Sequence, residues 1–392
     1  MNYITNYGDH YFGSDWFWDD HFWTPPNATF DLYETAEYRH FNDIYYSLYS
    51  ALILLLIRSL LERLLYEPLG IYWFGIKRHP DKNHFQTILK NIYPSLTSQN
   101  VAMLEEIFEQ THGKMNHKIN NKNNKERPQQ QQLLTALTKQ LDFSERQIQR
   151  WMRIRRQSAR RPVLAKFCET AWRCTFYLSA FIYGIIILWD KPWTWDSVYC
   201  FIDYPHHTVS QSEWWYYNIE TAFYLSLLAS QCFDVKRKDF WIMFIHHCVT
   251  LILFIFSWAC NLVRIGTLVI VMHDFADIPL EFGKMMAYAK RNLFADISFV
   301  VFSLFWIISR LIVFPYRIIY YSLIVAPRML PMFNAYYFFN GFLLALQTMH
   351  IVWTYYIFKV ALHTINNDSI RDVRSDDDDD DDEDNSDDEK DL

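Results

Sequence analysis

Two adjoining apolar stretches of the chain carry side chains that hydrocarbon does not accept cheaply. Phe240 to Trp258 holds His246 and His247 side by side, and Leu262 to Phe282 holds His273, Asp274, Asp277 and Glu281. An aspartate at the bilayer centre costs about 2.5–3.5 kcal/mol on insertion scales, so imidazoles and carboxylates kept at that depth point to function. Histidine changes charge near neutral pH, and it can take a proton or attack a carbonyl. A carboxylate bonded to one ring nitrogen fixes the tautomer and steadies the imidazolium. On a helix Asp274 and Asp277 stand three apart and His273 and Asp277 four apart, so all three share a side. His246 and His247 are about 100° apart and cannot both aim at one partner, which predicts different roles for them.

These residues are positioned by an all-α integral membrane fold. About seven spanning helices are expected, over 44–66, 168–189, 215–233, 240–259, 262–282, 294–314 and 333–361. Arg58, Glu62 and Arg63 interrupt the first of them. The leading segment 1–43 has Arg39 as its only Lys or Arg, whereas the loop after the first helix is rich in both. The positive-inside rule then puts the N-terminus in the lumen and that loop in the cytosol. Lys236, Arg237, Lys238, Lys284, Lys290 and Arg291 fall on the predicted cytosolic side, and the acidic tail ends there too. His246 lies about 9 Å inside the fourth span and Asp277 about 10 Å from the exit of the fifth, so the two sets meet at one level in the cytosolic half. No cleavable signal peptide is apparent. The domain boundaries read from the chain are 1–43 (lumenal), 44–66 (first span), 67–160 (helical cytosolic insert), 161–363 (membrane domain) and 364–392 (acidic tail).

The remaining polar features are read more plainly. The six cysteines show no paired metal spacing. Cys200 and Cys260 both fall near the lumenal face, where they either pair or stay as isolated thiols. The HxxH and HxxxH clusters of di-iron membrane hydroxylases are absent, and no metal is expected. His206 and His207 read as surface residues of a lumenal loop, and Glu281 as the mark of a helix end or of a substrate mouth. Phe314 to Pro331 is apolar but holds Pro315, Arg317, Pro327, Arg328 and Pro331, which predicts a re-entrant or interfacial loop. Asn27 opens an Asn-Ala-Thr acceptor that would face the lumen, so glycosylation is expected there. Ser375 and Ser386 precede acidic runs in a solvated tail, the pattern an acidophilic kinase phosphorylates.

Within the insert, Ser144 to Arg156 resembles the third helix of a homeodomain. Ile154 stands where the adenine-reading asparagine would be, which removes the main base contact. No DNA partner is expected. The helix reads as a basic module for anionic lipid or for the phosphates of a substrate.

Arg237-Lys238-Asp239-Phe240, His246-His247, Arg264-Ile265-Gly266 and His273-Asp274-Phe275-Ala276-Asp277 follow one another in order. By this motif the chain from about Arg161 to Ala361 resembles a ceramide synthase of the Lag1/TLC-domain family. Lys166 to Leu178 and Trp214 to Leu228 agree as well, and a degenerate homeobox-like insert marks the animal members. The resemblance implies a six-helix TLC bundle in the endoplasmic reticulum membrane. The activity it implies is transfer of a fatty acyl group from acyl-CoA, as co-substrate, to the amine of a sphingoid long-chain base, without a cofactor. In that reading His246 is the nucleophile or base, with His247 as partner or relay, or the reverse. Asp274 and Asp277 orient the imidazoles, while Lys236, Arg237, Lys238, His273 and Lys284 contribute to substrate binding. The segment Phe314 to Pro331 would bear on acyl length, and a homo- or hetero-dimer with paralogues is possible. A non-enzymatic lipid-binding or lipid-transfer protein of the same fold is the alternative.

Overall fold

The computed structural model describes residues 20–26, 41–76, 104, 148, 163–231 and 240–367. Lys236, Arg237, Lys238, Asn27, Ser375, Ser386 and the homeodomain-like helix apart from Ile148 lie outside the described residues. By internal contacts the chain divides into two units, Met1–Phe74 with Phe167–Leu392, and Gly75–Lys166. In the smaller unit Leu104 and Ile148 are buried.

The described residues of the larger unit form long helices and no strand. We label them α1 (Ile44–Trp73), α2 (Val163–Leu188), α3 (Gln211–Gln231), α4 (Phe240–Ala259), α5 (Val263–Tyr288), α6 (Asn292–Met329) and α7 (Asn334–Asn367). Five of them, α1, α2, α4, α6 and α7, are long and apolar enough to cross a membrane. The other two, α3 and α5, are the most polar, and they carry Glu213, Glu220, Asp274, Asp277 and Glu281.

Local chemistry explains where these helices run. α1 continues past the predicted 66 to Trp73, because its charges find partners. Arg58 Nε meets Glu62 Oε1 at 2.8 Å, and Arg58 Nη1 donates to Ser230 Oγ of α3 at 3.3 Å. α5 runs beyond the predicted 282 to Tyr288, so Glu281 is a buried interior residue and not a helix end. The predicted loop 314–331 is also corrected. α6 stays helical to Met329, winding through wide π-type turns over Ile307–Val325 that include Pro315. The polarity that suggested a loop is satisfied laterally. Arg317 Nε donates to Ser197 Oγ at 2.8 Å, and its Nη2 donates to the Thr194 carbonyl at 2.9 Å.

α3 lies inside the bundle. It contacts α1, α4 and α5, while α5 and α7 both pack on α6 and α4 packs on α7. α2 joins through aromatic rings: Phe176 stacks on Phe223 with centroids 3.6 Å apart. Two glycines permit close approach. A Cβ on Gly184 would lie 2.6 Å from the Tyr216 hydroxyl, and one on Gly266 would lie 2.5 Å from that of Tyr217. Outward faces of the apolar helices expose Leu52, Leu56, Ile186, Val300, Leu304 and Ile351. A surface of that kind suits acyl chains and not water.

The α2–α3 connection is tied to the α4–α5 turn. Asn261, in a left-handed conformation with φ 57°, donates from Nδ2 to the Pro205 and His207 carbonyls, both at 2.8 Å. His207 is 2% exposed, so the expected surface position is wrong for it; His206 is exposed. Burial holds the His207 imidazole down at about 4. Cys200 and Cys260 are separate buried thiols, and burial pushes the Cys200 thiol up to about 12.

Candidate active site

The two most polar helices, the first half of α4 and the middles of α6 and α7 turn their ionisable groups toward each other. His246 and His247 sit in the first half of α4, with ring centroids 5.6 Å apart. They diverge as helical geometry requires. His246 meets the edge of Trp353 on α7 at 5.1 Å, whereas His247 faces Tyr224 on α3 at 6.1 Å. His247 is buried and His246 partly so. The Nδ1 atoms of both are enclosed and bond to no protein atom.

On α5, His273, Asp274 and Asp277 do not address a single neighbour. His273 Nδ1 lies 2.6 Å from the Val269 carbonyl, which makes it the donor, and its Nε2 is buried without a partner. The ring packs beside His350 at 5.3 Å and Phe314 at 5.7 Å. Asp274, one residue on, points the other way and is fully buried. Its carboxyl lies in the field of Glu220 on α3. Asp277 stands 3.7 Å from Arg310 Nη2. Neither aspartate hydrogen-bonds to His246 or His247; the imidazoles and carboxylates form two adjoining clusters.

Arg310 connects the clusters. It is 2% exposed, and it donates to the Met272 carbonyl at 2.9 Å and the His273 carbonyl at 3.0 Å. Its guanidinium also lies 5.4 Å from the Trp306 ring. These bonds brace the α5 turn just ahead of Pro279, whose missing N–H leaves a carbonyl of the helix unpaired. His273 and its aspartates are thereby held on a fixed backbone.

Lys284, expected to meet phosphates, is engaged with Glu281 at 2.7 Å. Glu220, Arg310 and His350 were missed in the sequence. Glu220 and His350 lie well inside their predicted spans and Arg310 near the end of its own, and the same cost argument that singled out His246 would have found them. Glu220 and His350 are 0% and 1% exposed; Glu220 has only the Asp274 carboxyl beside it and both ring nitrogens of His350 lack a partner, so they meet the same criterion as the motif residues.

This arrangement sets an imidazole group beside a carboxylate group inside the bundle. It provides nitrogen lone pairs for attack or proton removal and anionic oxygens for a cation.

A family profile described as the TLC domain matches residues 166–359. Human ceramide synthase 3 is 38% identical over 366 residues, covering 93% of this chain and 88% of that protein. Human ceramide synthase 4 is 37% identical over 367 residues, 93% and 86%. Ceramide synthase hyl-1 of Caenorhabditis elegans is 37% identical over 225 residues, 54% and 61%. By this likeness along nearly its whole length, the chain belongs to the ceramide synthases, a family of membrane acyltransferases that carry a TLC domain.

Proposed function

We propose that this enzyme moves a fatty acyl group from acyl-CoA to the amine of a sphingoid long-chain base, forming (dihydro)ceramide, at the His/Asp cluster. The observation that carries the reading is the pair His246 and His247, neighbouring imidazoles with unengaged Nδ1 atoms inside an otherwise greasy helix. An amide forms when an amine attacks a thioester. The amine must lose a proton, and the thioester carbonyl must be activated or passed to a nucleophile. One histidine acts on the thioester, through a base or an acyl-imidazole step. The other positions it or relays the proton. Asp274 and Asp277 act on the imidazoles through the site's field and through the α5 backbone.

All seven long helices span the endoplasmic reticulum membrane in this reading, with the N-terminus in the lumen and the C-terminus in the cytosol. Coenzyme A stays in the cytosol, and the thioester enters between the helices toward α4. Lys236, Arg237 and Lys238 would then meet its phosphates. Asn27 carries a glycan, and Ser375 and Ser386 are phosphorylated. Residues 67–160 form a cytosolic module without a DNA partner, and the enzyme assembles as a dimer with itself or with paralogues.

The test is acyl transfer. Microsomes containing the protein, given a panel of acyl-CoAs and a long-chain base, make N-acylated base. In the acyl-imidazole form of the step, label from acyl-CoA appears on the protein without base, is lost in His246→Ala and remains in Asp274→Asn. Retention in His246→Ala with loss in His247→Ala reverses the two roles. Absence of N-acyl product with every acyl-CoA overturns the reaction.

A further inference from the structure

Glu220 and Asp274 are both 0% exposed and face each other from α3 and α5. Their carboxyls are within hydrogen-bond reach of each other, and no other protein group donates to any of the four oxygens. Two carboxylates so placed repel, and each buried oxygen without a donor carries a desolvation cost. A proton shared between them engages two of the four oxygens and leaves two without a donor.

A third group points to the same place. Tyr216, one turn before Glu220 on α3, is 2% exposed, and its hydroxyl is also unpartnered. It lies in the field of both carboxyls. The absence of a side chain at Gly184 gives this hydroxyl its room. Arg310, the buried cation of the bundle, lies against Asp277 and two carbonyls and not within hydrogen-bond range of this pair.

The missing ligand must bring positive charge and several N–H donors on a compact head. A primary ammonium brings one charge and three donors. The site also lies beside the imidazoles. Tyr224 touches the His247 ring and sits in the field of Glu220 and Asp274.

We propose that Glu220, Asp274 and Tyr216 form the subsite that receives the ammonium head of the acyl acceptor and holds it next to His247. This rests on the acyl-transfer reading above, and it adds Glu220 and Tyr216 to the substrate-binding residues. Part of the cost of burying an anionic pair is recovered only when the acceptor enters, so the pair selects an amine over an uncharged lipid of equal length.

Equilibrium binding to the purified full chain tests the subsite without turnover. The probes are a sphingoid base and its deaminated alcohol of the same chain length. The wild type is expected to bind the amine about tenfold tighter or more, the scale of one charge-assisted bond. Glu220→Gln is expected to bring the two affinities within about twofold while acyl-CoA affinity stays unchanged. An equal affinity of the wild type for both probes overturns the subsite, and so does a preference that survives Glu220→Gln. If Glu220→Gln does not accumulate, Tyr216→Phe decides: a threefold fall in the preference supports the subsite, and no fall overturns it. Wild-type N-acylation in the same preparation separates the readings. An active wild type without amine preference sinks the subsite alone, whereas an inactive wild type sinks the reaction.

Discussion

Replacing Arg310 by Met removes a cation of similar length and keeps its apolar stem. Three interactions go with it: the bonds to the Met272 and His273 carbonyls at 2.9 and 3.0 Å, and the ion pair to Asp277 at 3.7 Å. Breaking one side of a buried pair typically costs about 3–5 kcal/mol, because the remaining charge is stranded. The Asp277 side chain is 19% exposed, which lets water meet part of its charge and places the expected loss at the low end, about 3 kcal/mol. Asp277→Asn alone leaves Arg310 on its two carbonyls and costs less, about 1–2 kcal/mol. The double variant no longer strands Asp277, so it should lose less than the two single losses added, by about 1 kcal/mol or more. Denaturation of the purified protein can be followed with a thiol-reactive dye, because Cys168, Cys200 and Cys260 are buried and react only on unfolding. Activity adds an independent readout: if Arg310 fixes the α5 backbone, Arg310→Met loses turnover at temperatures where it remains folded. Additive losses in the double variant, or an Arg310→Met protein as stable as wild type, would refute the account of Arg310 as the brace of this site.

Other perturbations probe separate parts of the molecule. Gly266→Ala places a methyl 2.5 Å from the Tyr217 hydroxyl, which is bonded to Ser257; the overpacking should cost about 1–3 kcal/mol, read as a lower melting temperature. His207 is held near 4 by burial, below its usual 6.5, so the unfolded chain binds the extra proton between those values. Stability is therefore fully present above about pH 6.5 and falls as pH drops toward 4, by about 3 kcal/mol in all; His207→Gln should flatten that part of the stability–pH curve. Exchanging residues 314–331 for a paralogue's segment should change the preferred acyl length with activity retained, measured with a panel of acyl-CoAs; an unchanged preference would rule the segment out.

The helices and the His/Asp motif were legible because hydrophobic length and paired polar residues are local signals. His246-His247 and His273-Asp274-x-x-Asp277 announce themselves within one span. Glu220, Arg310 and His350 do not, since each finds its neighbours on another helix: Glu220 meets Asp274, Arg310 meets the carbonyls at 272 and 273, and His350 meets His273. The spacing put His273, Asp274 and Asp277 on one side, but a 100° step sends His273 to His350 on α7 and Asp274 to Glu220 on α3. The helical course of 314–331 was hidden for a similar reason. Arg317 looks like a loop residue until Ser197 and Thr194, more than a hundred residues earlier, supply its acceptors.

That α3 and α5 are the two long helices too polar to pass as membrane spans by composition is a consequence of where they sit. A helix facing acyl chains must be apolar around much of its surface, and α1, α2, α4, α6 and α7 meet that demand. α3 is enclosed on several sides and buries Glu213, Asn218, Glu220 and Thr221 together with its aromatic residues. α5 buries His273, Asp274 and Glu281 along one course. The shell of apolar helices lowers the local dielectric, and this strengthens every charge interaction inside it. The same shell makes each unpaired group expensive, so such groups persist where they have work to do. Low overall hydropathy in a helix surrounded by greasier neighbours thus marks the buried polar interior where the acyl-transfer site is proposed. Glu213→Gln removes a buried charge that pairs with Lys191 and caps α3 through Ser210, away from the carboxyl pair; it should leave amine preference intact, whereas Glu220→Gln should abolish it. If both variants changed the preference alike, the chamber would owe its selectivity to overall polarity and not to the facing pair.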